Sequence, residues 1–309
     1  MDSDYTLRIA GDDDLPSLLG LWTTVLHPDP SVFTSEYESC TPDRRICFIA
    51  EADGQVVSSV QLFVLPIRDE RLHSIDIGAI ANVATLPDYR LKGISTALLL
   101  QAIKRMGAMK CAWSYLFTGI TPYYERLGWR VIHRLFPSTP IDARHLPEAP
   151  ANILLQDQPD LKLLRKMSEG SIITPLSQIR TDLDWEFKIP SRMSERSLLV
   201  GDDCFAILRE ADGRAKLEEW GMPRPSIDRS YNLLLAAAHW AASRGLPKLA
   251  VSAPINAEAR QALESLFPNI EDIDERDAMV RPISEEWPMS RLVSFFAQPE
   301  SRFLRLDNF

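Results

Sequence analysis

The stretch Ile80–Met106, IANVATLPDYRLKGISTALLLQAIKRM, holds a strand, a basic glycine turn and a helix with no residue to spare between them. Up to Leu86 it is apolar and rich in small or β-branched residues, extending a run from Ile75 and Ile77, and Pro87 ends that strand. Beyond Ser95 the period becomes helical, with Leu99, Ala102, Ile103 and Met106 on one face. The join is RLKGIS. Gly93 lets the backbone approach a ligand closely, and the first amides of the next helix have no partners inside it. With the helix dipole they form a cradle for an anion. Arg90 and Lys92 add two cations beside it, so the expected guest is a phosphate group. The turn lacks both the G-K-[S/T] of a nucleoside triphosphate loop and the G-x-G-x-x-G of a dinucleotide fingerprint.

Working outward, Arg45–Ala52 and Gln55–Pro66 read as two strands joined at Asp53-Gly54, a tight hairpin signal. Before them come a short strand, Tyr5–Ala10, and a helix that starts behind Asp12, Asp13 and Asp14. That helix carries Leu15, Leu18, Leu19 and Trp22 and ends near His27 and Pro28. Pro30–Pro42 is a second short helix or a loop. After the long helix, Cys111–Thr118 is a strand, CAWSYLFT. In TPYYERLGW the tyrosine pair then opens a short helix that stops at Gly128, where positive φ is favoured, and Trp129 begins a new strand.

RLKGIS resembles the [Q/R]-x-x-G-x-[G/A] pyrophosphate loop of the GNAT superfamily of acyl-CoA-dependent N-acyltransferases, with Ser95 where glycine or alanine is usual, and VATLPDY resembles its fourth strand. The resemblance implies an α/β fold with a mixed sheet and acetyl-CoA as cosubstrate. Pantetheine would pair with Val83, Ala84 and Thr85, and the pyrophosphate would lie on Arg90, Leu91, Lys92, Gly93, Ile94, Ser95 and Thr96. The Val83 N–H would stabilise the developing oxyanion. By the match to Y-x-R-x-G, Tyr124 would protonate the departing thiolate. A phenol of pKa about 10 serves a thiolate of pKa about 8.5 only when held close to it. The same pattern also fits a tyrosine packed on the sheet with its hydroxyl satisfied; Tyr123 reads as the structural member of the pair. In the family the segment after the first helix walls the acceptor site, which makes Trp22, Phe33 and Glu36 candidate substrate contacts. Trp22, at helical spacing with leucines, also fits plain core.

A chain of 309 residues with 45% hydrophobic content supports two domains. Prolines 137, 140, 147 and 150 mark a linker over 137–150. Residues 151–283 repeat the strand and helix order in blurred form, with a helix expected over Ser177–Phe187 and a last strand over Ala278–Ile283. There MPRPSID stands in place of the glycine loop, and Pro223 and Pro225 lack donors. The expectation is therefore a tandem: a catalytic GNAT domain over 1–136, a degenerate GNAT-like partner over 151–283 and a tail over 284–309. Over roughly Leu72–Ile132 the chain resembles the Eis-type amine acetyltransferases, and no sterol-carrier-like third domain is expected in the remaining length. In those enzymes a terminal carboxylate acts as base, which would here belong to Phe309; alternatively the tail packs on its own domain through Phe295, Phe296 and Phe303.

The net charge of -9 argues against nucleic acid or an anionic membrane as partner and favours a cationic substrate. Four cysteines without metal spacing and five scattered histidines call for no metal and suit a reducing compartment. With no signal peptide or long apolar span, the expected location is the cytoplasm. The expected activity is acetyl-CoA-dependent N-acetylation of a primary amine on a small molecule. The alternative is a non-catalytic acyl-CoA sensor that kept the fold.

Overall fold

Residues 5–27, 29–156 and 158–301 are described by a computed structural model. The chain opens with β1 (Thr6–Ile9), α1 (Leu15–Leu26) and α2 (Pro30–Glu38). Three strands follow: β2 (Arg45–Ala52), β3 (Gln55–Arg68) and β4 (Ser74–Thr85). Next come α3 (Ile94–Ala108), β5 (Trp113–Phe117), α4 (Thr121–Glu125) and β6 (Arg130–Val131). β7 (Arg134–Pro140), β8 (Leu154–Gln156) and α5 (Leu161–Glu169) lead to a π-helical stretch over Asp184–Lys188 that runs into α6 (Ile189–Met193). β9 (Ser197–Val200), β10 (Phe205–Ala211) and β11 (Arg214–Gly221) precede α7 (Ile227–Ser243) and β12 (Lys248–Val251). The last elements are α8 (Ala257–Leu266), β13 (Glu271–Glu275), β14 (Ala278–Pro282) and α9 (Met289–Phe296). Polar residues start several helices: the side chains of Asp29, Asp160, Ser226 and Asn256 accept from the first free amides of α2, α5, α7 and α8.

Two seven-stranded mixed sheets result. The first runs β1-β2-β3-β4-β5-β14-β6 and the second β13-β7-β12-β11-β10-β9-β8. In each, an antiparallel run meets one parallel pair, β4 with β5 and β11 with β12, and the helix between the paired strands, α3 or α7, covers one face. In the first sheet Val60, Leu62 and Val64 of β3 pack on Leu98, Leu99, Ala102 and Met106 of α3. Gly78 permits that approach, because a Cβ there would stand 2.1 Å from the Met106 sulfur. The opposite face buries Phe63, Leu65 and Ile67 against Trp113, Tyr115 and the α9 residues Phe295 and Phe296.

Two expectations about the boundary fail. The segment expected as a linker over 137–150 begins inside a strand: β7 lies between β12 and β13 in the second sheet. Its prolines are tolerated because the β12 ladder stops at Ser138, short of Pro137, and Pro140 closes the strand. The strand expected to end the second unit, β14, instead enters the first sheet between β5 and β6. The first sheet is therefore built from both ends of the chain, so a division at 137–150 and 283 cuts through it. The helix expected over Ser177–Phe187 is also displaced. Gln178 is extended and bridges to Ile67 at the end of β3, while its buried amide joins Asp184 and Lys188.

Candidate active site

β3 holds the upper end of β4 in an unusual way. From Ser59 to Gln61, β3 advances two residues while β4, from Ala84 to Ala81, advances three, so β4 carries a bulge at Asn82–Val83. Asn82 adopts φ +48, a left-handed conformation that asparagine tolerates better than most residues. The carbonyls on either side of Val83 are both engaged by buried serines of β3: Ser59 Oγ donates to Asn82 O at 3.0 Å and Ser58 Oγ to Ala84 O at 2.9 Å. Among the described residues no peptide is cis, and across a trans peptide the C=O and N–H point in opposite directions. With Asn82 O held toward β3, the Val83 N–H is directed to the other side of the strand.

That side is open. β4 and β5 pair only at Gly78 with Ser114 and Ala79 with Tyr115, so beyond Ala79 the strands part and the backbone of Val83, Ala84 and Thr85 edges a wedge. At the mouth of the wedge lies the loop. Leu91 has φ +63 and is fully exposed, and Gly93 has φ +79 at the N-cap of α3. Successive amides around left-handed residues converge into an anion-binding concavity. A Cβ on Gly93 would meet no protein atom within 4 Å, so the space in front of the loop is free for a ligand. The Arg90 guanidinium donates to Thr85 O at 3.0 Å, and the Lys92 ammonium stands 4.8 Å from the Tyr89 ring centroid.

Ser95, the departure from the usual small residue, makes a contact: its hydroxyl lies 2.7 Å from the Tyr123 hydroxyl and ties the loop to α4. Tyr124 is buried in the same apolar cluster as Ile94, against which Val83 packs, and stacks edge-on to Tyr123 and Trp129. Burial, with a smaller contribution from Tyr123, pushes its phenol well above the ordinary value, so the hydroxyl stays protonated. No hydrogen bond from another described residue contributes to that shift.

The expected acceptor contacts fall elsewhere. Trp22 is fully buried, stacks on Phe33 and donates from Nε1 to Ser59 Oγ at 2.8 Å. It reaches the site through Ser59, which holds the bulge, and shares an apolar cluster with Ala84. Phe33 is core, and Glu36 is a buried partner of Arg192 from the second half of the chain; desolvation raises its pKa against the pull of Arg192 and Lys188. None of the three offers a surface to an amine, because α2 is closed off by the segment 184–193 rather than by solvent. Phe309 lies outside the described residues, as does Phe303. Sequence reading missed Ser58 and Ser59; the signal was an asparagine inside a strand of small and β-branched residues, which points to a bulge. Among the described residues no group of histidine, cysteine or carboxylate side chains could hold a metal ion, and no helix is long and apolar enough to cross a membrane.

Residues 6–132, which contain the whole wedge and loop, match the acetyltransferase (GNAT) domain family. This part of the chain carries the GNAT acetyltransferase domain. The whole chain resembles solved structures of the same fold. A conserved protein of unknown function from Enterococcus faecalis V583 superposes with TM-score 0.69 at 14% identity, over 91% of this chain and 72% of that one. Eis1 from Mycobacterium abscessus gives 0.65 at 12%, over 91% and 74%, and a GCN5-related N-acetyltransferase from Kribbella flavida 0.65 at 15%, over 95% and 73%. At these identities the likeness is one of fold, and it extends over both sheets. No curated protein matches the sequence.

Proposed function

We propose that the protein transfers an acetyl group from acetyl-CoA to a primary amine of a small cationic molecule, by direct attack in a ternary complex. The observation that carries this reading is the bulged β4, whose Val83 N–H points into an open wedge between a phosphate-suited loop and a protonated Tyr124. Bound there, the thioester supplies an activated acyl group. Val83 then offers its N–H to the carbonyl oxygen as charge builds on it, from a position fixed before reaction by Ser58 and Ser59. The Tyr124 hydroxyl supplies a proton to the leaving sulfur. The burial that raises the phenol's pKa equally disfavours a bare thiolate, so the transfer is better matched than the free pKa values suggest. A net charge of -9 favours a cationic acceptor. The experiment is thiol release from acetyl-CoA across a panel of polyamines, aminoglycosides, amino acids and lysine peptides. Release with at least one amine is expected; CoA binding with no release from any of them favours the non-catalytic sensor.

The second sheet does not repeat the loop. Gly221, at the end of β11, is already crowded, since a Cβ there would meet the Phe205 ring at 2.2 Å and Ser171 Oγ at 2.3 Å. Beyond it Pro223 and Pro225 carry no N–H. Calorimetric titration with CoA is therefore expected to give one site per chain, and a stoichiometry of two would overturn the assignment of the second half as degenerate.

A further inference from the structure

The place in the second sheet that corresponds to the wedge is not filled. β11 and β12 pair in parallel from Ala215 to Leu217, the Ser252 and Ala253 N–H groups both end on Leu217 O, and further on Trp220 Nε1 donates to Pro254 O at 2.8 Å. Beyond that point lies a cavity of about 410 Å³, within the range of small-molecule sites. Its walls come from the end of β11, from the starts of α7 and α8 and from residues 168–180. It is remote from the first wedge: Arg68 on its rim is ten residues along β3 from Ser58, roughly 30 Å at the rise of a strand. No step of the proposed transfer uses it.

The chemistry of the lining selects the guest. Ile172, Ile173, Trp185, Phe205, Trp220 and Met222 make the walls largely apolar. The buried charges there are already matched, because Arg180 grips Glu219 through both guanidinium nitrogens at 3.0 and 2.7 Å. Nearer the rim, Glu169 is paired with Arg165. The pair Arg180–Glu219 leaves no net buried charge to call for an ionic ligand. Among the buried polar atoms of the lining one is left over: Ser230 on α7, 1% exposed, has a hydroxyl with no hydrogen-bond partner among the described residues. A buried hydroxyl without a partner is unfavourable, and such groups are normally met by water or ligand. A phosphate is excluded by the crowded Gly221 and the two prolines.

We infer that the second half of the chain binds an uncharged, largely apolar small molecule with one hydrogen-bonding group, seated at the end of β11 with that group on Ser230. The site is independent of the acetyl-CoA wedge.

The test uses the full chain and 1-aminoanthracene, an uncharged aromatic amine whose fluorescence rises in apolar surroundings. Saturable binding of one dye per chain is expected, and saturating CoA should not displace it. Ser230→Ala removes only the hydroxyl and should weaken binding about three- to tenfold, the worth of one hydrogen bond. Ser230→Leu projects bulk into the cavity and should weaken it about tenfold or more. Should that variant fail to melt cooperatively, Ile173→Trp replaces it, since Ile173 is half exposed at the mouth and tolerates bulk there. The inference is overturned if no saturable binding occurs, if CoA displaces the dye, or if folded Ser230→Leu or Ile173→Trp binds it as the unaltered chain does.

Discussion

Gly93→Val is expected to weaken CoA binding by about a hundredfold or more while the protein remains folded. The estimate corresponds to losing two charge-assisted hydrogen bonds of about 1.5 kcal/mol each. No clash within the protein produces the effect, because a Cβ at this position meets nothing within 4 Å. Two other causes do. The side chain occupies the free space in front of the loop, and a β-branched residue resists the φ of +79 that Gly93 adopts. Strain of the second kind costs roughly 1–2 kcal/mol in stability and tends to turn the helix amides away from the cradle. Gly213→Val separates strain from site. Gly213 sits in the β10–β11 hairpin with φ +68 and equally open surroundings, so it should lose similar stability and bind CoA as before. Calorimetric CoA titration and thermal melting on both variants provide the check, and unchanged affinity in a folded Gly93→Val protein removes the loop from the phosphate site.

How much of this was legible depended on whether the determinants were local. The glycine turn, the hairpin at Asp53-Gly54, and α3 were readable because period, cap and turn residues act within a few positions. What stayed hidden was pairing at long range. Ala278–Pro282 reads as a strand by its own residues, yet nothing in those five residues says that its neighbours are Trp113–Phe117 and Val131. β13, EDIDE, was missed because an exposed edge strand needs no apolar alternation. The acceptor contacts failed for a related reason. Glu36 and Phe33 look like wall residues when α2 is taken alone, and only the arrival of Arg192, 156 residues later, turns that face into an interface. Ser58 and Ser59 seemed ordinary strand residues until the bulge supplied carbonyls for them.

Tyr124→Phe is expected to lower kcat by about 10²- to 10⁴-fold, the usual range for a lost general acid, with CoA affinity nearly unchanged. The contact matters only as the carbon–sulfur bond breaks, so ground-state binding does not register its removal. The structure sharpens the expectation in two ways. Since no hydrogen bond from another described residue contributes to its pKa shift, its removal should leave stability nearly unaltered, and a loss of turnover then cannot be ascribed to unfolding. Since burial raises the phenol's pKa, the acid form persists in alkali, and kcat should show no fall near pH 10, where an ordinary tyrosine would ionise. Tyr123→Phe gives the opposite pattern. Its hydroxyl bonds Ser95 in the phosphate loop at 2.7 Å, so that variant should lose about 1 kcal/mol of stability and bind CoA several-fold more weakly with kcat little changed. Steady-state kinetics with an amine from the panel, carried from pH 7 to 10.5, read both. If Tyr124→Phe turns over within a few-fold of the unaltered enzyme, the leaving thiolate draws its proton from water, and Val83 with the loop remains the whole of the machinery.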